Sequence, residues 1–316
     1  MTPDTPRPGP LAARGERLAE RRVRGTARRP DVLLRLLNAP AALLVVAFSI
    51  LPLIYVGYLS FQDMRVGMSG GFAGLDNYRF VLEDASVVKA FGNTLYFACV
   101  SVGLAVLIGL GIALLLHSDL PGSGWLVAAV VLPWAVPEIV NALIWQWIYS
   151  PTYGALNGAL YAIGAIADYQ SWLSTPLSAM HAVIVAYAWK LVPFVVIILY
   201  AGLSGIPAEY YESARIDGAG SWACFRYVTF PLLAAPLGVA VLFCLVWAMR
   251  AFDIVYLLTR GGPGEGTSVL SYFVFTKAFE FGDLGAAAAV ACLLALVTFA
   301  LTGLYMRVLH GPRPAA

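Results

Sequence analysis

Long, nearly uninterrupted apolar runs recur along this chain and restrict its fold more than any other feature. Crossing roughly 30 Å of hydrocarbon takes about 20 mostly apolar residues in a helix. The bilayer core offers no water to a backbone N–H or C=O, so a lipid-exposed run of this length must bond internally, as a helix. Of the 316 residues, 60% are hydrophobic and only 12% charged, about half the charged share of a typical soluble domain. The expected fold class is therefore all-α, a polytopic membrane protein with six transmembrane helices. The runs place them at Pro40 to Leu59, Phe91 to Leu116, Trp125 to Ile148, Met180 to Leu203, Leu232 to Leu258 and Leu284 to Leu309.

Charge sets the expected orientation. All nine basic residues before Asn38 are arginines. A nucleic-acid-binding tail is the minor reading, because arginines just before a first span are what the positive-inside rule places in the cytoplasm. With the N-terminus inside, thirteen basic residues fall on the cytoplasmic side and five outside, with Lys190 and Arg250 within spans. The tail carries that imbalance. The expected division is a basic cytoplasmic tail over 1–37, a transmembrane domain over 38–310 with a cytoplasmic loop at 205–230, and a short cytoplasmic tail over 311–316. Residues before the first run lack the apolar core of a cleavable signal, so that run is expected to be a retained anchor.

Few residues offer catalytic chemistry. Cys99, Cys224, Cys244 and Cys292 have no paired spacing, and His117, His181 and His310 are far apart in sequence. No metal site and no enzyme activity are expected. The three lysines, Lys89, Lys190 and Lys277, do not follow glycines, so a GxxxxGK[ST] phosphate loop does not occur. Gly261-Gly262-Pro263-Gly264 reads as a tight outer turn or a contact for an external partner.

The connection between the fourth and fifth runs is the most structured loop. Pro207 suits a helix start, and Glu209 and Glu212 meet the positive end of its dipole. Gly218 suits a left-handed stop. Ser221 is placed to cap a second short helix ending before Pro231. From composition alone, an ordinary structured loop reads as well.

The residues themselves resemble a family. Glu212, Ala214, Gly218 and Pro231 match Glu-Ala-Ala, three residues, Gly, nine residues, Ile-x-Leu-Pro, the pattern of permease subunits of binding-protein-dependent ABC importers. Ser213, Val228 and Phe230 depart from it mildly. Further stretches, among them Asn93-Thr94-Leu95, Leu132-Pro133-Trp134, Val192-Pro193-Phe194 and Phe252 to Thr259, resemble the maltose and glycerol-3-phosphate branch. The resemblance implies the type I importer permease fold, with Glu212, Ala214, Asp217 and Gly218 coupling to a separate ATPase. It also implies a second related permease, an ATPase pair that binds ATP and Mg, an extracytoplasmic solute-binding protein, a lipid membrane around the chain, and a prokaryotic cell membrane location.

Polar residues within spans are costly in lipid and mark cavities or partners. Glu138 and Asn141 in the third span, Lys190 in the fourth, and Trp247, Arg250 and Asp253 in the fifth are the candidate substrate path. Arg250 and Asp253, three apart, read as a possible pair on one face. Trp145 and Trp147 read as interfacial anchors. An ion-coupled secondary transporter also has broken helices and buried polar groups, but it has no need of the loop motif. A sugar is the expected cargo, with glycerol-3-phosphate as the alternative.

Overall fold

The computed structural model describes residues 30–68, 70–118 and 123–310. Of the expected 1–37 tail, residues 1–29 lie outside the described part, as does the 311–316 tail; from Pro30 onward the chain is helical. The chain divides into two compact units, Met1–Val56 and Gly57–Ala316. The first holds most of the first span: helix Pro30–Val45, a π-helical turn Val46–Ile50, then helix Leu51–Leu59.

In the second unit, antiparallel strands Gln62–Asp63 and Gly71–Phe72 precede helix Asp76–Glu83. The second span, Ala85–His117, starts on Asp84, whose carboxylate accepts from the amides of Ser86 and Val87. The fourth span, Pro176–Ser204, starts on Thr175 with Pro176 in its first turn, where the missing N–H costs no bond. The fifth continuous helix is Ser221–Met249 and the sixth Leu284–Arg307.

The third run is broken rather than straight, at the proline that precedes Glu138. It is two helices, Trp125–Ala135 and Glu138–Ile148, bent 101° apart at Val136-Pro137. Pro137 cannot donate a backbone bond and biases Val136 away from helical geometry. Among the described residues, five helices are long and apolar enough to cross a membrane uninterrupted, six if the bent pair is counted as one broken span.

The fifth span corrects the sequence reading at both ends. It begins at Ser221 rather than Leu232, because Ser221–Cys224 runs through a π-helical turn, Phe225–Thr229, into Phe230–Met249. Gly220, not Ser221, holds the capping position. The wide turn lets the helix pass Pro231: Phe230 N–H reaches back to Phe225 O, and the carbonyl that the proline ring would strike is displaced. The first span treats Pro52 the same way, with its π turn ending at Ile50. The span also stops at Met249, and Asp253–Leu258 is a separate short helix.

The second and fourth spans pack along their length. Lipid tails are as apolar as leucine, so helices associate in the bilayer through close van der Waals fit and hydrogen bonds rather than hydrophobic expulsion. The buried face of the second span follows that rule: Ser101, Ala105, Gly109 and Ala113 recur every fourth residue. A Cβ on Gly109 would lie 2.6 Å from Cγ1 and 2.8 Å from Cβ of Val195 in the fourth span.

Asparagines tie down the loops. Asn77 donates to the carbonyls of Ser60 and Gln62. Asn157 donates to those of Ser150 and Gln170 and accepts from Gln170 N–H and Trp172 Nε1–H. Asn93 donates to those of Glu265 and Ser268, fixing the loop after the fifth span onto the second.

Gly109→Ala is expected to lower stability by roughly 1–3 kcal/mol through overpacking. Gly103→Ala, where a Cβ would meet nothing within 4 Å, is expected to be neutral. Thermal unfolding in detergent checks both, and equal midpoints for the two variants would contradict the packing described.

Candidate functional site

Both breaks in helical structure open onto one cavity of about 370 Å³. Glu138 comes from the break in the third span, and Arg250, Phe252 and Asp253 come from the end of the fifth. Tyr187 and Lys190 of the fourth span, with Trp134 and Trp247, complete the aromatic and charged walls.

Four charges surround this space, and each has an electrostatic reason to be there. Lys190 Nζ lies 2.7 Å from Glu138 Oε1, a charge-assisted contact, with the lysine side chain only 12% exposed and the glutamate 40%. Glu138 is also the first residue of its helix, where the positive end of the dipole favours a carboxylate. Asp253 opens its short helix in the same manner. Arg250 caps the C-terminal end of the fifth span, where a cation is favoured. The broken backbone is partly satisfied from outside: Ser271 Oγ donates to the carbonyl of Ala251.

The arrangement changes two sequence expectations. Arg250 and Asp253 do not pair; the helix ends between them, so their spacing of three no longer puts them on one face. Asn141 does not reach the cavity. One turn beyond Glu138 it is fully buried, donating 3.4 Å to the carbonyl of Ala186, with its Oδ1 unpartnered. Glu138, Lys190, Trp247, Arg250 and Asp253 line this cavity together. Tyr187, Trp134 and Phe252 were not anticipated, since one aromatic among many in an apolar run carries no signal of its direction. Trp247 is held by Phe194, with ring centroids 4.7 Å apart. Trp145 is not an exposed anchor: it packs against Tyr149 and Trp189.

At the opposite end of the fifth span lies the loop with the matched motif. Helix Ala208–Ile216 ends in a Schellman motif: Gly218 N–H bonds to Arg215 O, and Ala219 N–H to Ala214 O. Gly218 has φ +83°, a conformation that glycine adopts without the Cβ penalty of other residues. Tyr211 Oη lies 3.1 Å from Thr229 Oγ1 and ties this helix to the start of the span. Glu212, Asp217 and Gly218 are exposed, while Ala214 is half-buried against the loop. Beside them Ile216 is 87% and Trp222 74% exposed. These two apolar groups were not singled out in the sequence; only the loop's geometry shows that both face outward.

Comparison with known proteins fits this geometry. Residues 105–313 match the family described as binding-protein-dependent transport system inner membrane component. The chain is 38% identical to the trehalose/maltose transport system permease protein of Thermococcus litoralis, over 86% of this chain and 92% of that one. It is 31% identical to the sulfoquinovosyl glycerol transport system permease protein of Agrobacterium fabrum, over 87% and 89%. Among solved structures, a bacterial ABC transporter involved in the import of the acidic polysaccharide alginate superposes with a TM-score of 0.73 at 21% identity, over 90% of this chain and 97% of that one. The bent and broken spans and the glycine-ended loop thus sit in a chain that belongs to the family of binding-protein-dependent transport system inner membrane components, the membrane-spanning permeases of ABC importers.

Proposed function

We propose that this permease lines the path of a neutral saccharide through an ATP-driven importer and couples that path to a separate ATPase. The observation that carries the cargo class is the cavity itself. Its two carboxylates and two cations balance, and Trp134, Tyr187, Trp247 and Phe252 supply ring faces. A sugar presents hydroxyls that need both donors and acceptors, and C–H faces that complement the negative face of an aromatic ring. The relatives are transport permeases for trehalose/maltose and sulfoquinovosyl glycerol, which supports a saccharide or glycoside. Glycerol-3-phosphate fits less well, because Lys190 is already neutralised by Glu138.

Helix Ala208–Ile216 is the element that meets the ATPase. It is short, stopped sharply at Gly218, and tied to the fifth span through Tyr211. A displacement there moves a single helix that runs to the Arg250 side of the cavity. Exposed Ile216 and Trp222 offer an apolar contact and Glu212 and Asp217 a charged one. In this reading ATP and Mg are bound by the ATPase pair, a second permease supplies the other wall, and a solute-binding protein delivers the sugar outside. Both termini and the coupling loop lie in the cytoplasm.

Glu212→Lys is expected to leave the protein in the membrane while abolishing ATP-driven uptake, since reversing the charge makes the contact repulsive. Normal uptake in reconstituted vesicles would refute the coupling assignment. Reporter fusions after Met68 and Gly264 are expected outside and a fusion after Ala219 inside; a cytoplasmic signal at Gly264 would refute the topology. Glu138→Gln and Lys190→Met are each expected to destabilise the complex, and the double variant less than their sum, with a coupling of roughly 0.5–3 kcal/mol. Additive losses in thermal unfolding would show that the pair contributes nothing to stability.

A further inference from the structure

The loop that follows the fifth span encloses a second cavity of about 240 Å³, lined by Arg260, Glu265, Tyr272, Thr276, Lys277 and Glu280 among others. It lies beyond the end of the fifth span farther from the coupling loop. We propose that this cavity is an outer saccharide subsite and that Tyr272, Tyr256 and Phe252 pass the sugar from it to the central cavity; the inference rests on the saccharide reading above.

Three observations carry it. The first is continuity. Tyr272 lines the outer cavity and Phe252 the central one, and their rings stand 22° apart in plane at 6.5 Å. Tyr256 touches both, at 5.3 Å from Phe252 and 6.4 Å from Tyr272. Phe275 packs on the same cluster and leads to exposed Phe279. All the rings but Phe279 are half-buried, so the cluster is neither sealed as a core nor open as a surface. The second is charge. Arg260, Lys277, Glu265 and Glu280 all line the outer cavity, and Lys89 Nζ stands 4.0 Å from Glu265 Oε2, so both signs of charge border it. Lys277 is held in place, its ammonium 4.5 Å from the ring centroid of Phe80 and 5.6 Å from those of Phe273 and Phe281.

The third observation is a braced rim. Arg260 and Glu265 both adopt left-handed backbone, φ +49° and +59°, a strained choice for non-glycine residues that recurs at ligand sites. The second span braces Glu265: Asn93 donates to its carbonyl and Ser86 Oγ to its carboxylate, while Arg260 N–H bonds to Val255 O. A neutral, polyhydroxylated ring fits such a place. Its C–H face lies on the tyrosines, and its edge hydroxyls find both carboxylate acceptors and cationic donors.

The test uses the complete transporter with its binding protein, reconstituted in vesicles, and measures initial uptake against concentration for trehalose and maltose. Tyr256→Leu and Tyr272→Leu keep bulk but lose the ring. Each is expected to raise KM about 2–10-fold, while Tyr256→Phe and Tyr272→Phe stay near the parent. Stimulation of ATP hydrolysis by the loaded binding protein should be unchanged. Parental KM in the leucine variants would overturn the proposal. So would a loss of uptake that follows a loss of that stimulation in step, which would make the patch a protein-docking surface. If the leucine variants do not assemble, Thr276→Cys in a Cys99→Ser background provides a second measurement. Its labelling by a methanethiosulfonate reagent should be slowed by maltose, and labelling indifferent to maltose would overturn the subsite. Saccharide uptake missing from the parent, with binding-protein-stimulated ATP hydrolysis intact, would overturn the cargo reading and this proposal with it.

Discussion

Backbone polar groups in hydrocarbon must find partners within the protein, so a helix crossing lipid can be broken only where protein or a cavity receives the freed groups. That constraint organises the transmembrane unit. The two breaks, at Val136-Pro137 and at Arg250 to Phe252, face the same cavity. Each break exposes helix ends, and those ends stabilise charges that an unbroken helix in lipid would tolerate poorly. Glu138 and Asp253 sit at helix starts, and Arg250 sits at a helix end. Lys190, on an unbroken span, is neutralised by Glu138 instead. The polar interior is thus a consequence of where the helices stop.

A cavity built from breaks needs a rigid frame around it. The second and fourth spans supply one, with small residues every fourth position letting the backbones approach closely. The fourth span carries Tyr187 and Lys190 into the cavity, and the second carries Asn93 and Thr94 under the outer loop. Asn93 holds that loop through the carbonyls of Glu265 and Ser268, and Thr94 Oγ1 accepts from Leu270 N–H. One helix pair therefore positions both the central wall and the outer rim.

The fifth span connects the functional regions. Its first turns follow the Schellman stop at Gly218, pass Pro231 by a π-helical turn, and continue without a stop to Met249 beside the cavity. Had the short helix after Gly220 ended before Pro231, as the sequence indicated, a hinge would lie between the glycine-ended loop and the cavity. The continuous helix makes a stiffer lever than that reading allowed.

What the sequence determined by itself was what depends on local composition. The apolar runs gave the spans, because hydrocarbon thickness fixes their length. Pro207 and Gly218 marked the start and stop of the short helix Ala208–Ile216, because proline and glycine act through their own backbone limits. That Glu138, Lys190, Trp247, Arg250 and Asp253 share one cavity was legible, because charges and large polar rings within spans are rare enough to count. Tertiary structure decided the rest. It separated Arg250 from Asp253 by ending a helix with no proline or glycine to announce it, and it turned Asn141 into the core against Ala186. It also chose Glu138 as the partner of Lys190 and brought Tyr272 to Phe252 across the chain. These outcomes depend on which faces meet when helices pack, and a single run of apolar residues does not encode which of its faces will find a neighbour.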